Sequence, residues 1–418
     1  MIIATFVLIL LTGCSLGEAH VRELKMLEIQ VKNRLVLQES DALPLLFPVH
    51  VETRDSMAVI TDVSSGVVHV YSSTSGRYIG ALEPGLDMME RALRDVRALH
   101  GNGAYISFDE AAERMGISVD ELASQVSTKP KILVARIDPH SDTIFATASM
   151  RLFADVEGLV TSFITNVLMK YELKTLRMAS LTVIDHPSVT PTRLFSGSVM
   201  AFLGRDLLVN EFDSTFMNDF ARHSLISRVP LYTRYTRDGQ RLGGDVSIRT
   251  EILADFGYGF QFSQPRIGPN ERLLFTSGVS PYCLVIDSTT REPQEVSYSN
   301  VVQHVMPMLR SNRSTGTRMK NNPPNAFLCS GFQQGASLYA ATFTDWNTST
   351  TDSIVSHLVF ASFDPITSSL LPRGHIAIRE RGYNAMRVVD WPVPDSVVRV
   401  LERNVATKDW CITTYSVE

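Results

Sequence analysis

Cysteine is scarce in this chain of 418 residues: Cys14, Cys283, Cys329 and Cys411 are the whole set. No two form a Cys-x-x-Cys pair and none has histidine at ligand spacing, which excludes the usual sequence signature of a zinc site. Blocks of Lys or Arg are missing as well, and the formal net charge is −5; both weigh against a nucleic-acid face. The Arg-containing stretches 234–241 and 310–320 are diluted by Gly, Ser and Asn and read as solvated loops. Catalytic signatures are absent too. There is no Gly-x-Ser-x-Gly elbow, no His-Glu-x-x-His pair, no phosphate-binding glycine loop and no EF-hand spacing. The ten histidines are scattered from His20 to His375. A membrane span needs roughly 20 apolar residues. The run Ile2–Leu11 is far shorter, and Glu18, His20, Arg22 and Glu23 follow it closely.

What is present is a chain with 44% hydrophobic and 20% charged residues, the balance of a globular protein with a sizeable core. After about residue 25 it reads as short strands and polar turns. Ala58–Asp62, Val67–Tyr71 and Tyr78–Gly80 are strand-like runs separated by Val63-Ser64-Ser65-Gly66 and Ser75-Gly76, a tight meander. Similar units occur at Lys131–Thr147, Leu231–Gly243, Arg272–Asp287 and His357–Ile378. Asp138, Asp185, Asp238 and Asp287 anchor turns at a pitch of about 50 residues, which suits propeller blades. That pitch predicts an all-β fold: a β-propeller of roughly six or seven four-stranded blades. A strand-like segment at Leu27–Gln38 and another at Trp410–Ser416 are expected to pair in one blade and lock the ring. A pair of β-sandwiches and a mixed α+β chain are the alternatives on this pattern.

A small helical insertion is expected at about residues 86–126. Leu86, Met89, Leu93, Val96 and Leu99 recur at helical spacing. Ile106–Leu122, with Ala112 and Gly116 at the helix-packing and turn positions, resembles the helix-turn-helix of small DNA-binding domains. Its second helix, however, would present Asp120 and Glu121 and no Lys or Arg, the wrong sign for phosphates. The expectation is therefore no nucleic-acid partner.

Leu11-Thr12-Gly13-Cys14 closes the first apolar run and resembles the lipobox of bacterial lipoproteins. Together with the early strand and the Asp62–Tyr71 turn, the chain resembles bacterial six-bladed β-propeller lipoproteins with NHL-like repeats. The resemblance implies residues 1–13 as a signal peptide, 14–26 as a lipidated tether and 27–418 as the propeller domain. It also implies cleavage before Cys14 and a covalent lipid (palmitate among its chains) on Cys14, with no other cofactor. Ser15 stands where an inner-membrane retention Asp would, which points to the outer membrane of the cell envelope. In such an oxidising compartment one disulfide among Cys283, Cys329 and Cys411 is compatible with the sequence, which does not select the pair.

Two sets of residues could carry function. Asp62, His69, Asp138, His140 and Asp185 could gather at a central channel, as in metal-dependent propeller hydrolases, although Asp in such turns ordinarily caps its own backbone. Phe256, Tyr258, Phe260 and Phe262 alternate along one strand face, a row that packs between blades or offers a stacking surface. No catalytic residue and no metal ligand is assigned. The leading expectation is a non-enzymatic scaffold or binding module, anchored in the membrane, whose propeller face meets an envelope protein, peptide or glycan. The alternative is a metal-dependent hydrolase or lyase of saccharides or lactones. Cys14→Ala is expected to leave the protein unlipidated, uncleaved and absent from the detergent phase. Intact mass and detergent partitioning check this, and unchanged values would refute the anchor.

Overall fold

The computed structural model describes residues 26–84, 86–100, 105–125, 130–184, 200–210, 228–249, 272–276, 282–287, 293–305, 327–329, 333–334, 338–350, 353–380, 388–390, 397–404 and 407–418. The two ends of this span meet. Strand β1 (Ile29–Val36) runs antiparallel to β25 (Trp410–Val417), with Ile29 opposite Val417 and Val36 opposite Cys411. Beyond β25 lie β24 (Val397–Arg403) and β23 (Val388–Asp390), so one four-stranded sheet is built from the first strand and the last three. The expected pairing of the chain ends is therefore present.

The remaining strands follow the chain as meanders. β2 (Pro48–Arg54), β3 (Met57–Asp62), β4 (Val67–Ser72) and β5 (Tyr78–Leu82) form blade 1. Blade 2 holds β7 (Lys131–Ile137), β8 (Thr143–Val156), β9 (Leu159–Glu172) and β10 (Met178–Val183), with the short β6 (Tyr105–Ile106) added to β8. Blade 3 holds β11 (Met200–Leu203), β12 (Asp206–Asn210), β13 (Arg228–Tyr235) and β14 (Arg241–Arg249). The next sheet has eight strands, seven in its path and β19 paired off it with β20, and one parallel pair, Ser297 opposite Ser369, joins its middle. That junction divides it into two meanders. Blade 4 is β15 (Arg272–Thr276), β16 (Tyr282–Asp287) and β17 (Pro293–Ser297). Blade 5 is β18 (Phe327–Cys329), β19 (Gln333–Gln334), β20 (Leu338–Thr350), β21 (Ser353–Asp364) and β22 (Ser369–Glu380). With the closing sheet labelled blade 6, the small antiparallel sheets of the described residues form a β-propeller arrangement, as expected.

Where the side chains are described, neighbouring blades bury apolar faces against each other, which is why those strands show little polar alternation. Val59, Val68, Val70 and Leu82 of blade 1 pack on Ile132, Ala135, Ala146 and Val167 of blade 2. Val134, Phe145 and Leu168 of blade 2 meet Met200, Phe202, Leu207 and Tyr235 of blade 3. Ala340, Leu358 and Phe360 of blade 5 meet Val398, Val400 and Tyr415 of blade 6. The ring closes where Ala58, Ile60 and Tyr71 of blade 1 join Leu401, Trp410 and Ile412 of blade 6. Gly76 lies at this seam: a Cβ there would stand 2.0 Å from the Val36 carbonyl, so only glycine lets the blade 1 turn reach the chain entering from β1.

The Asp-anchored turns do not occupy equivalent places. Asp138 follows the first strand of its blade, Asp238 lies between the third and fourth, and Asp287 ends the second. The 50-residue pitch matches blade size rather than a repeated turn.

The helical insertion connects blades 1 and 2. Helices α1 (Leu86–His100), α2 (Phe108–Met115) and α3 (Val119–Gln125) lie in that connection. Ser107 caps α2 in a reciprocal capping box with Glu110, and Gly116 ends it in a left-handed conformation. A fourth helix, α4 (Ser299–Val305), follows β17.

The seam between blades 6 and 1 generates two predictions. Trp410 is buried there and its Nε1 donates to the Leu45 carbonyl at 2.8 Å. Trp410→Ala should cost about 3–5 kcal/mol, read as a lower urea midpoint. His69 is fully buried beside Tyr71 and Tyr78, and neither ring nitrogen has a hydrogen-bond partner among the described residues. Burial pushes its pKa below the ordinary 6.5, with Asp62 opposing. The unfolded chain therefore takes up this proton first, so the stability is complete above about pH 6.5 and falls as pH drops below it. His69→Phe should shrink the loss of urea midpoint between about pH 7.5 and 5.5, and an undiminished loss would contradict it.

Candidate functional site

Two regions come into question: the polar lining of the ring centre and the projection above blade 2. At the centre, β2 lies beside β7, β7 beside β11, and β23 beside β2. Glu52 of β2 accepts a hydrogen bond from the Ile137 N–H at 2.7 Å. The same carboxylate oxygen lies 3.4 Å from Arg136 Nε and 3.8 Å from His50 Nε2. Arg136 in turn donates through Nη1 to the Met200 carbonyl at 2.9 Å, so one carboxylate and one guanidinium tie three blades together. On the other side, Arg399 of blade 6 donates to Thr53 Oγ1 at 2.7 Å. Tyr232 is buried near Arg136; burial raises its pKa well above the ordinary value, and the arginine opposes the shift.

The turns at the ends of these strands repeat the theme. Arg54 donates to the Ser141 carbonyl at 2.7 Å and also to the Asp138 carbonyl. Arg237 lies over the Phe202 ring at 4.1 Å and donates to Asp138 Oδ1 at 3.3 Å. Arg234 forms an ion pair with Asp206. Arg54 and Arg237 brace one blade against the next, whereas Arg234 and Asp206 tie two strands within blade 3; these roles fix the side-chain geometry and keep the groups engaged.

The sequence candidates for a channel site do not converge. Asp62 Oδ1 accepts from the Ser64 and Ser65 N–H groups at 2.9 and 3.2 Å, and its Oδ2 accepts from Phe47 at 3.0 Å. Asp138 accepts from the His140 N–H and from Ser141 Oγ. Both are turn caps. They also lie at opposite ends of the ring: Gly66, after Asp62, bonds Ile132 at the start of β7, whereas Asp138 follows its end. His69 is sealed in the blade 6–blade 1 seam, and His140 is exposed. Asp185 lies outside the described residues, as do Cys14 and the row Phe256, Tyr258, Phe260 and Phe262. Cys283 and Cys411 are buried, and burial pushes the Cys411 thiol up. Among the described residues, no three His, Cys, Asp or Glu side chains stand arranged around a common point for a cation, and no helix is long and apolar enough to cross a membrane.

The projection above blade 2 has more to offer. β8 and β9 are 14 residues each, about twice the seven of β7, and their outer halves continue as a hairpin beyond the blade. Glu157 and Gly158 turn it with φ of 56° and 83°, the left-handed pair of a two-residue I′ turn. One face of the hairpin, Leu152, Ala154 and Phe163, packs on Leu93 and Val96 of α1. The other, through Phe153 and Val160, packs on Ala111 and Ala112 of α2 and Leu122 of α3. The hairpin and helices form a small crown with a core of its own. Its surface carries the large apolar side chains Met115, Val119, Ile164 and Leu159, the last 71% exposed. The outward residues of α3 include Asp120 and Glu121, so the helix that would read DNA is acidic on its open face.

The length of this hairpin escapes sequence reading, which places a strand only at Thr143–Thr147. Both faces of its outer half are covered, so Leu152-Phe153-Ala154 is apolar without alternation, and an unbroken apolar run does not distinguish strand from helix.

No protein-family model and no curated protein matches this chain. Solved structures similar to it include a putative exported protein from Bacteroides fragilis, at 8% identity over 96% of this chain and 98% of that one, with a TM-score of 0.44. The WD40 repeats of RRP9 match at 10% identity over 94% and 100% of the two chains, TM-score 0.45. A streptogramin B lyase matches at 10% identity over 94% and 98%, TM-score 0.39. At such identities these likenesses concern architecture alone, and the propeller is established by the chain's own sheets and their closure.

Proposed function

We propose that this chain is a lipid-anchored envelope module that binds a protein, peptide or glycan partner through the crown face of its propeller, without transforming it. The observation that carries the reading is the crown. Closing a ring of blades needs neither an extended hairpin nor three helices, yet here they build a second core and display Met115, Val119, Leu159 and Ile164 to solvent. Exposed apolar groups set beside acidic ones are the usual makings of an interaction surface. The charged groups near the ring centre, by contrast, are engaged between blades, which leaves the hydrolase or lyase alternative without a favouring observation.

In this reading Cys14 carries the lipid, and residues 14–26 form the tether. A random coil of about a dozen residues spans about 20 Å, so in this reading the propeller would work close to the bilayer, of the outer membrane if Ser15 acts as the family pattern implies. The alternating row Phe256, Tyr258, Phe260 and Phe262, which lies outside the described residues, has a sequence pattern that would suit stacking a sugar or peptide.

Affinity purification of the intact lipoprotein from envelopes should recover a partner. The double variant Val119→Asp, Leu159→Asp should recover about tenfold less, while its urea midpoint stays within about 0.5 kcal/mol of the parent, as for surface changes generally. Equal recovery by the variant would remove the crown from the reading. Metal-dependent turnover of saccharides or lactones would replace the binding module with the enzyme.

A further inference from the structure

The side of the crown that α2 and α3 share with the hairpin combines two kinds of side chain. Cross-strand pairing sets Arg151 opposite Ile164, Phe153 opposite Ser162 and Asp155 opposite Val160, so these six point to one side of the hairpin. Phe153 and Val160 are the ones that α2 and α3 cover. Ile164 is therefore exposed on the side where Met115 ends α2 and Val119 starts α3, both exposed as well. The rings Tyr105, Phe108, Phe153 and Phe163, by contrast, are buried or half-buried in edge-to-face pairs. Around the exposed apolar groups the charge is mostly of one sign. Residues 107–125 hold Asp109, Glu110, Glu113, Asp120 and Glu121 against Arg114 alone. Arg114 pairs with Asp155, and Glu110 with Arg97. Arg151, the cation on that side of the hairpin, donates to Ser162 Oγ at 3.0 Å. Asp109, Glu113, Asp120 and Glu121 are exposed and form no ion pair among the described residues.

We infer that the partner segment seated on the crown is a cationic amphipathic peptide, a helix or strand whose Lys or Arg side chains flank an apolar stripe. The inference rests on the crown as the binding face and narrows which class of partner fits it. The stripe would cover Met115, Val119 and Ile164 and take them out of water. Each flanking cation would meet a carboxylate that has no counter-charge of its own, which sets register and excludes acidic competitors. A glycan fits less well, because the aromatic rings on which a sugar would stack are turned inward. A second copy of the crown would set like charges against each other, and an anionic bilayer surface would do the same. Exposed ion pairs are screened, so binding should weaken as salt rises.

Surface plasmon resonance on the immobilised full chain, free of detergent, tests this with a short amphipathic helix of Leu and Lys as the probe. The probe should bind, and its counterpart with Glu in place of Lys should not. The triple variant Glu113→Gln, Asp120→Asn, Glu121→Gln should weaken the probe about tenfold, the summed effect of three modest surface pairs. These isosteric changes at exposed positions should leave the urea midpoint in place. The control Glu28→Gln, Asp41→Asn, Glu172→Gln removes the same charge away from the crown and should keep affinity within about twofold. No binding of the probe, or equal losses in the two triple variants, would overturn the inference. Affinity purification from envelopes separates it from the reading on which it rests. A partner lost with Val119→Asp, Leu159→Asp but kept by the crown triple variant would leave the binding face standing and remove the cationic segment. A partner kept by both would remove the face itself.

Discussion

The antiparallel pairing of β1 with β25 is the constraint on which the rest of the molecule depends. A propeller blade exposes apolar side chains on both faces, and a row of them is stable only if the row returns to its start. Here the return is made by backbone hydrogen bonds between residues about 380 apart, Ile29 opposite Val417 and Val36 opposite Cys411. The bonds set the register, and apolar packing at the seam supplies the stabilisation. Leu37, Leu45, Tyr71, Leu401, Trp410 and Ile412 come from both ends of the chain and from blade 1, so none of that core exists until the ends meet. Contacts of such sequence separation form late and cost loop entropy first, which concentrates cooperativity at the seam.

Much of this architecture is legible in the sequence. Short β-branched runs bounded by Asp, Ser and Gly turns announce blades, and strand-like segments at the two ends announce closure. The helix at Leu86 shows in its apolar spacing, and α2 and α3 in the helix-turn-helix likeness of Ile106–Leu122 with Ala112 and Gly116. Function is less legible because a ring juxtaposes residues that sequence keeps apart. Glu52 meets Arg136 across blades 1 and 2, and Arg237 meets Asp138 across blades 3 and 2, and nothing local marks Glu52, Arg136 or Arg237. The converse also holds: Asp62 and Asp138 look like candidates for chemistry, yet the same turn chemistry that makes them conspicuous occupies their oxygens.

The division of labour between ring and crown follows from how each uses charge. In the ring, a guanidinium between blades replaces water at a junction where backbone carbonyls would otherwise lie bare. Arg136 of blade 2 reaches the Met200 carbonyl of blade 3, and Arg54 of blade 1 the Ser141 carbonyl of blade 2. Each such arginine satisfies acceptors that burial would make costly, and so becomes a structural part. A catalytic carboxylate needs the opposite: an oxygen left available and a pKa placed by its surroundings for the reaction.

The crown, in contrast, spends its apolar groups twice. Leu152 and Phe163 hold α1, Phe153 and Val160 hold α2 and α3, and the hairpin between them is continuous with two strands of blade 2. Because β8 and β9 stay paired from Thr143–Glu172 at the blade to Val156–Leu159 at the tip, the crown cannot tilt without bending that ladder. Its exposed side chains are thus presented on a rigid mount. Rigidity reduces the entropy lost when a partner docks, which makes a modest apolar surface more effective than its area suggests. It also means that a ligand on the crown stabilises blade 2 and, through the closed ring, the seam on which every blade depends.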